Sequence, residues 1–188
     1  GWSYGAEVFI QKTRGKTTGW LGYTLSWTNR QFENINFGKK YPYKYDRRHD
    51  ISIVLIHKLN DKWDFSTTWV FGTGNAITLP IFRYNGYDNY GIWDYWDCLG
   101  SYCFTNEIEY YEQKNDYRMA NYHRLDLGFK RHKERKWGKS IWNFGVYNAY
   151  NRKNPFYYYF GRDKRGNRVL KRVSIFPFIP SVSFSFKF

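Results

Sequence analysis

Side-chain character alternates with a period of two through most of this chain. In 19–28, Leu21, Tyr23, Leu25 and Trp27 alternate with Trp20, Gly22, Thr24, Ser26 and Thr28. In 63–72, Trp63, Phe65, Trp69 and Phe71 alternate with Asp64, Ser66 and Thr68. The same holds for Leu125, Leu127 and Phe129 in 122–131, and for Trp142, Phe144 and Val146 in 141–148. The last eight residues are the cleanest, with Val182, Phe184, Phe186 and Phe188 set against Ser181, Ser183, Ser185 and Lys187. Tyr4, Ala6, Val8 and Ile10 give 3–12 an apolar side, while 49–59 is continuously apolar and its facing stays ambiguous. A period of two puts alternate side chains on opposite faces of a strand. The pattern predicts seven strands of roughly ten residues and no helix.

The connections carry a second pattern. Thr13–Lys16, Asn60–Lys62 and His132–Gly138 are tight, whereas 29–48, 73–121 and 151–172 are long. In an up-and-down antiparallel sheet, short and long connections in strict alternation put all turns at one end and all long loops at the other. Bacterial outer-membrane barrels have this asymmetry, and their tilted strands need about 9–11 residues to cross the hydrocarbon. A soluble β-sandwich shares the alternation but mixes its loop lengths. The segment 155–160 (PFYYYF) could serve as an eighth strand, but that would send the terminal strand the wrong way. It is read with 161–172 as a hairpin above the membrane, turning at Lys164–Asn167.

Composition sharpens the picture. Trp, Tyr and Phe number 9, 19 and 16, or 23% of 188 residues, which excludes a disordered chain. Mean hydropathy is −0.76, and no run approaches the 18 or so apolar residues of a membrane helix. The start, Gly1-Trp2-Ser3-Tyr4, has no initiator Met or signal pattern and looks like mid-strand sequence, so the chain is expected to begin inside a longer polypeptide. Thirty Lys and Arg against 16 Asp and Glu leave +14. That charge with abundant aromatics raises a nucleic-acid-binding β domain as one alternative. It ranks low, because the aromatics lie opposite the polar positions and the most aromatic loop is acidic. No nucleic-acid partner is expected. A small adhesin or structural barrel is the other alternative.

The residues that carry a resemblance come late in the chain. Phe188, behind Phe184 and Phe186, is similar to the C-terminal signal by which the barrel-assembly machinery recognises outer-membrane proteins. The stretch 142–155 (WNFGVYNAYNRKNP) resembles the penultimate strand and following loop of TonB-dependent receptors of the Bacteroidetes type. Tyr45–Asp50 and Trp69–Asn75 resemble barrel sequence of the same family. The resemblance spans most of 44–188 and thins within 80–118. It implies an all-β, antiparallel transmembrane barrel, of which 1–188 would be the C-terminal portion. The family's 22 strands would then include these seven, with the plug domain and TonB box outside this chain. It implies import of a nutrient ligand, such as a siderophore, another metal chelate or an oligosaccharide, from the bacterial outer-membrane surface. The implied partners are membrane lipid and lipopolysaccharide, TonB and the small-molecule or glycan ligand.

Catalytic motifs are absent: His49, His57, His123 and His132 form no HExxH, and there is no GxSxG. No enzyme activity and no cofactor are expected. The 73–121 loop is the candidate ligand surface, with 12 aromatics and 7 acids against 3 bases. Loops this long are usually functional, and Trp and Tyr offer rigid contact area with a polar handle. Tyr84, Trp93, Tyr95, Trp96 and Tyr102 are the candidate ligand contacts; the alternative is a loop that packs its aromatics on itself. Cys98 and Cys103 are either unconnected thiols or one loop disulfide in an oxidising compartment. Asp88, Asp94 and Asp97 offer carboxylates for Ca²⁺, although their spacing matches no calcium loop. The basic long loops suit lipopolysaccharide phosphates or an anionic ligand. The basic turn residues Lys133, Arg135 and Lys136 read as solvated ends.

Overall fold

The computed structural model of the chain describes residues 1–86 and 106–188. The chain is all-β, and its sheets are antiparallel. The long strands are β1 (Trp2–Lys12) and β2 (Thr17–Arg30), then, beyond the two-residue β3 (Tyr41–Pro42), β4 (His49–Asn60) and β5 (Trp63–Gly72). The 73–121 segment contributes β6 (Ala76–Ile77), β7 (Phe82–Gly86), β8 (Asn106–Tyr110) and β9 (Tyr117–Arg118). It is followed by β10 (Tyr122–Arg135), β11 (Gly138–Tyr147), β12 (Tyr157–Arg162), β13 (Arg168–Val173) and β14 (Ile179–Lys187). The main sheet runs β1-β2-β4-β5-β10-β11-β14, with β3 extending β2. These seven long strands are the seven that the alternation predicts, joined as a meander. The sheet is open between β1 and β14.

Register makes the two faces distinct. Ile10, Leu21, Ile53, Trp69 and Leu125 lie opposite one another across five strands. Nearer the short turns, Phe65, Phe129, Phe144 and Val182 form a second such row. One residue along, the row Lys58, Asp64, Lys130, Asn143 and Ser183 is polar throughout. The register also settles 49–59: His49, Ile51, Ile53 and Leu55 join the apolar face. That face is not covered. Ile10 is 62% exposed, Val182 63% and Phe184 53%. Among the described residues, the buried hydrophobic side chains are Tyr41, Ala76 and Met119, and all three belong to the loop end.

The turns have local causes. The Asn60 side chain accepts backbone N–H bonds from Lys62 and Trp63 at 2.9 and 3.0 Å, bending the chain from β4 into β5. Lys136 and Trp137 alone connect β10 to β11. A Cβ on Gly138 would come within 2.4 Å of the Phe186 ring, so only glycine lets β14 close over this turn. The β12–β13 hairpin stands apart from the main sheet, and its turn is held by Asp163 Oδ1, which accepts N–H bonds from Arg165 and Asn167, each 2.8 Å.

Candidate functional site

The long connections gather at one end of the sheet, and polar side chains pin them to each other. Asp46, 2% exposed, accepts the Thr28 backbone N–H at 2.6 Å and pairs with the Arg118 guanidinium and, at 3.5 Å, with Arg48. One carboxylate thus ties 29–48 to the far end of the 73–121 segment. Arg47 bridges Asp50 at 3.1 Å and the Asn75 side-chain oxygen at 3.2 Å. The Asn115 amide donates to the Pro42 carbonyl at 2.9 Å, and Thr78 donates to its oxygen at 3.1 Å. Ala76 and Ile77 pair with Arg118 and Tyr117, so the base of the long segment is itself a short ladder. At Gly74 a Cβ would lie 1.7 Å from the Met119 carbonyl oxygen, which makes this close approach specific to glycine.

Beyond that base, β7 and β8 form an arm. Phe82 and Tyr84 share one side with Tyr110 and Ile108, and all four side chains are exposed. Phe82 stacks on Tyr110 with ring centroids 4.7 Å apart, and Tyr84 lies 6.3 Å from Phe82. On this arm Glu109 accepts from Arg83 Nε at 2.8 Å and from the Tyr111 hydroxyl at 2.6 Å. Arg168, on β13, reaches the same carboxylate at 3.7 Å and lies over the Phe160 ring. The Tyr111 hydroxyl, with Arg83 next, holds the Glu109 carboxyl below its ordinary value, and the same bond raises Tyr111. Glu109 therefore joins the β7–β8 arm to the β12–β13 hairpin.

The polar face carries a further cluster beneath the loops. Arg124 donates to the Tyr122 and Tyr147 hydroxyls at 3.0 and 2.7 Å and pairs with Asp126 at 2.9 Å. Asp126 also accepts the Asn148 N–H at 2.9 Å, so the cluster is continuous with the 148–154 loop. This arrangement presents aromatic rings, hydroxyls and a held guanidinium, which suits recognition of a polar, ring-bearing ligand.

Of the candidate ligand contacts, Tyr84 sits on the exposed aromatic side of β7. Trp93, Tyr95, Trp96 and Tyr102 lie outside the described residues, as do Cys98, Cys103, Asp88, Asp94 and Asp97. Phe184 and Phe186 lie on the apolar face at the short-turn end, against Trp142 (4.8 Å) and Trp137 (5.1 Å), and Phe188 is 6.2 Å from Phe186. The sequence does not single out Asp46, Arg118, Asn115 or Glu109 as site residues, and it marks Arg168 only as one of the cations of a basic long loop. Asp46 lies within the Tyr45–Asp50 stretch, but beyond its neighbour Arg48 its partners are 18 and 72 residues away, and no local pattern announces them. No protein-family model, curated protein or solved structure matches the chain.

Proposed function

We propose that this chain is wall and loops of an outer-membrane β-barrel that works as a TonB-dependent receptor, importing a nutrient ligand into the periplasm. The observation that carries the reading is the largely apolar face that runs over seven strands and is left uncovered, opposite a face that is polar across β5, β10, β11 and β14 and mixed on β1, β2 and β4. Hydrocarbon outside and a wet or filled lumen inside account for both. A transmembrane sheet cannot leave unpaired edges in lipid, where each unsatisfied backbone group costs several kcal/mol. Further strands must then join β1 and β14 to close the wall. In this reading the loop end faces outward and binds a siderophore, metal chelate or oligosaccharide through the aromatic arm. TonB and the plug act from segments outside this chain, and Phe184, Phe186 and Phe188 meet the assembly machinery.

The test uses protein produced from its complete reading frame in a bacterial host. It is expected in the outer-membrane fraction, with folded and boiled forms differing in electrophoretic mobility. Replacing Trp93 and Trp96 together with Ala is expected to lower ligand uptake at unchanged surface abundance. Recovery as a monodisperse, detergent-free soluble particle overturns the membrane reading; unchanged uptake overturns only the ligand role of Trp93 and Trp96.

A further inference from the structure

The short-turn end of the apolar face contains a groove of about 460 Å³ formed by β10, β11 and β14. The row Leu125, Leu127, Phe129 continues along β10 as Arg131, Lys133 and Arg135, on the same face. Side chains on one face of a strand repeat every two residues, so these three cations span about 14 Å along the strand. Opposite them the register sets Trp142, Ser140 and Gly138. The two small residues open the groove, and Trp137, Trp142, Phe184 and Phe186 wall it. Arg131 lies 5.5 Å from the Trp63 ring and Arg135 lies 5.6 Å from Trp137.

The charge here is not compensated. The neighbouring carboxylates point to the other face, where Asp64 holds His132 at 2.8 Å and Glu134 holds Lys139 at 2.5 Å. Arg131, Lys133 and Arg135 have no carboxylate partner among the described residues. Three unpaired cations beside two Trp rings, at the end of a hydrocarbon-like stripe, form an amphipathic site: anionic at one end of its occupant and apolar at the other. Trp belongs at headgroup level, and Arg and Lys recognise phosphate. Solvation alone does not explain why these cations flank a groove walled by apolar rings.

We propose that this groove seats the headgroup of an anionic phospholipid of the inner leaflet. Its phosphate lies among Arg131, Lys133 and Arg135, and its acyl chains run up the Trp142–Phe144 and Phe184–Val182 stripe. The inference rests on the membrane reading given above. The test titrates detergent-solubilised protein, from the complete reading frame, with phosphatidylglycerol or phosphatidylcholine and counts bound lipid by native mass spectrometry. Wild type is expected to prefer phosphatidylglycerol about tenfold. Arg131→Gln/Lys133→Gln/Arg135→Gln is expected to lose that preference, and Lys133→Gln alone to lose part of it. Lys62→Gln/Lys130→Gln/Lys139→Gln, an equal loss of charge elsewhere on the same strands and turns, is expected to keep it.

Equal binding of both lipids by wild type, retention of preference by the triple variant, or equal loss in the charge-matched control each overturns the site. Displacement of the lipid by inorganic phosphate alone overturns the lipid assignment in favour of a free anion. A protein that binds no detergent and stays soluble overturns the membrane reading as well. One that enters micelles without headgroup preference overturns this inference only.

Discussion

Asn148 is 1% exposed and takes φ 54°, a left-handed conformation that costs most side chains roughly 1–2 kcal/mol and that Asn tolerates. Its amide donates to the carbonyls of Arg152 and Phe176 at 2.9 and 3.2 Å, and its oxygen accepts the Arg152 N–H at 3.0 Å. Asn151, at φ 52°, accepts the Phe178 N–H at 3.0 Å. Asn154 completes the set by exchanging two bonds with the His123 backbone, 3.0 and 2.9 Å long. Asn148, Asn151 and Asn154 therefore fold the loop after β11 back onto the starts of β10 and β14. Asn148→Ala is expected to destabilise the protein by about 3 kcal/mol, combining backbone strain with buried groups left unsatisfied. Asn148→Gly keeps the backbone relaxed and loses only the bonds, so its loss should be smaller. Denaturant midpoints of the two variants measure the difference; equal losses would show that the left-handed backbone contributes nothing.

The main-sheet strands were legible because each buries or exposes a whole face, and a period of two is the local trace of that facing. Glycine and asparagine at the turns, and the Asp163 turn of the β12–β13 hairpin, were equally local. The ladders within 73–121 were not. β6 and β9 are two residues each, about 40 positions apart, and nothing in Ala76–Ile77 or Tyr117–Arg118 alternates. Still longer separations hide Asp46 with Arg118, and Glu109 with Arg168. The Tyr111 hydroxyl and Arg83, with Arg168 a smaller contributor, make the arm around Glu109 acid-sensitive. Glu109 titrates below its ordinary value of about 4.5, so the ionised carboxylate favours the folded junction. Its contribution is full above that value and is lost as pH falls through the lower, folded-state one. Glu109→Gln imitates the protonated form. The gap in thermal midpoint between wild type and Glu109→Gln should be constant from pH 7 down to about 5 and narrow as pH falls below about 4.5. A gap that does not narrow at all as pH falls below about 4.5 would remove the Glu109 charge from the arm.

Across the whole molecule two forces oppose each other in water. The uncovered apolar face and the free edges of β1 and β14 favour association, since exposed apolar patches and unpaired strand edges both template it. The net charge of +14 resists it through repulsion, which salt screens over about 10 Å at 0.1 M. The residues 1–188 produced alone should therefore aggregate without detergent. Raising salt from about 10 mM to 0.5 M should speed that aggregation, because it removes the repulsion and leaves the hydrophobic drive intact. Association through basic residues and a contaminating polyanion would show the opposite trend, dissolving as salt rises. Light scattering across a salt series separates the two. A monomer that unfolds cooperatively in water at every salt concentration would mean that the aromatic stripe is satisfied within the chain, and would take the lipid-facing assignment of that stripe with it.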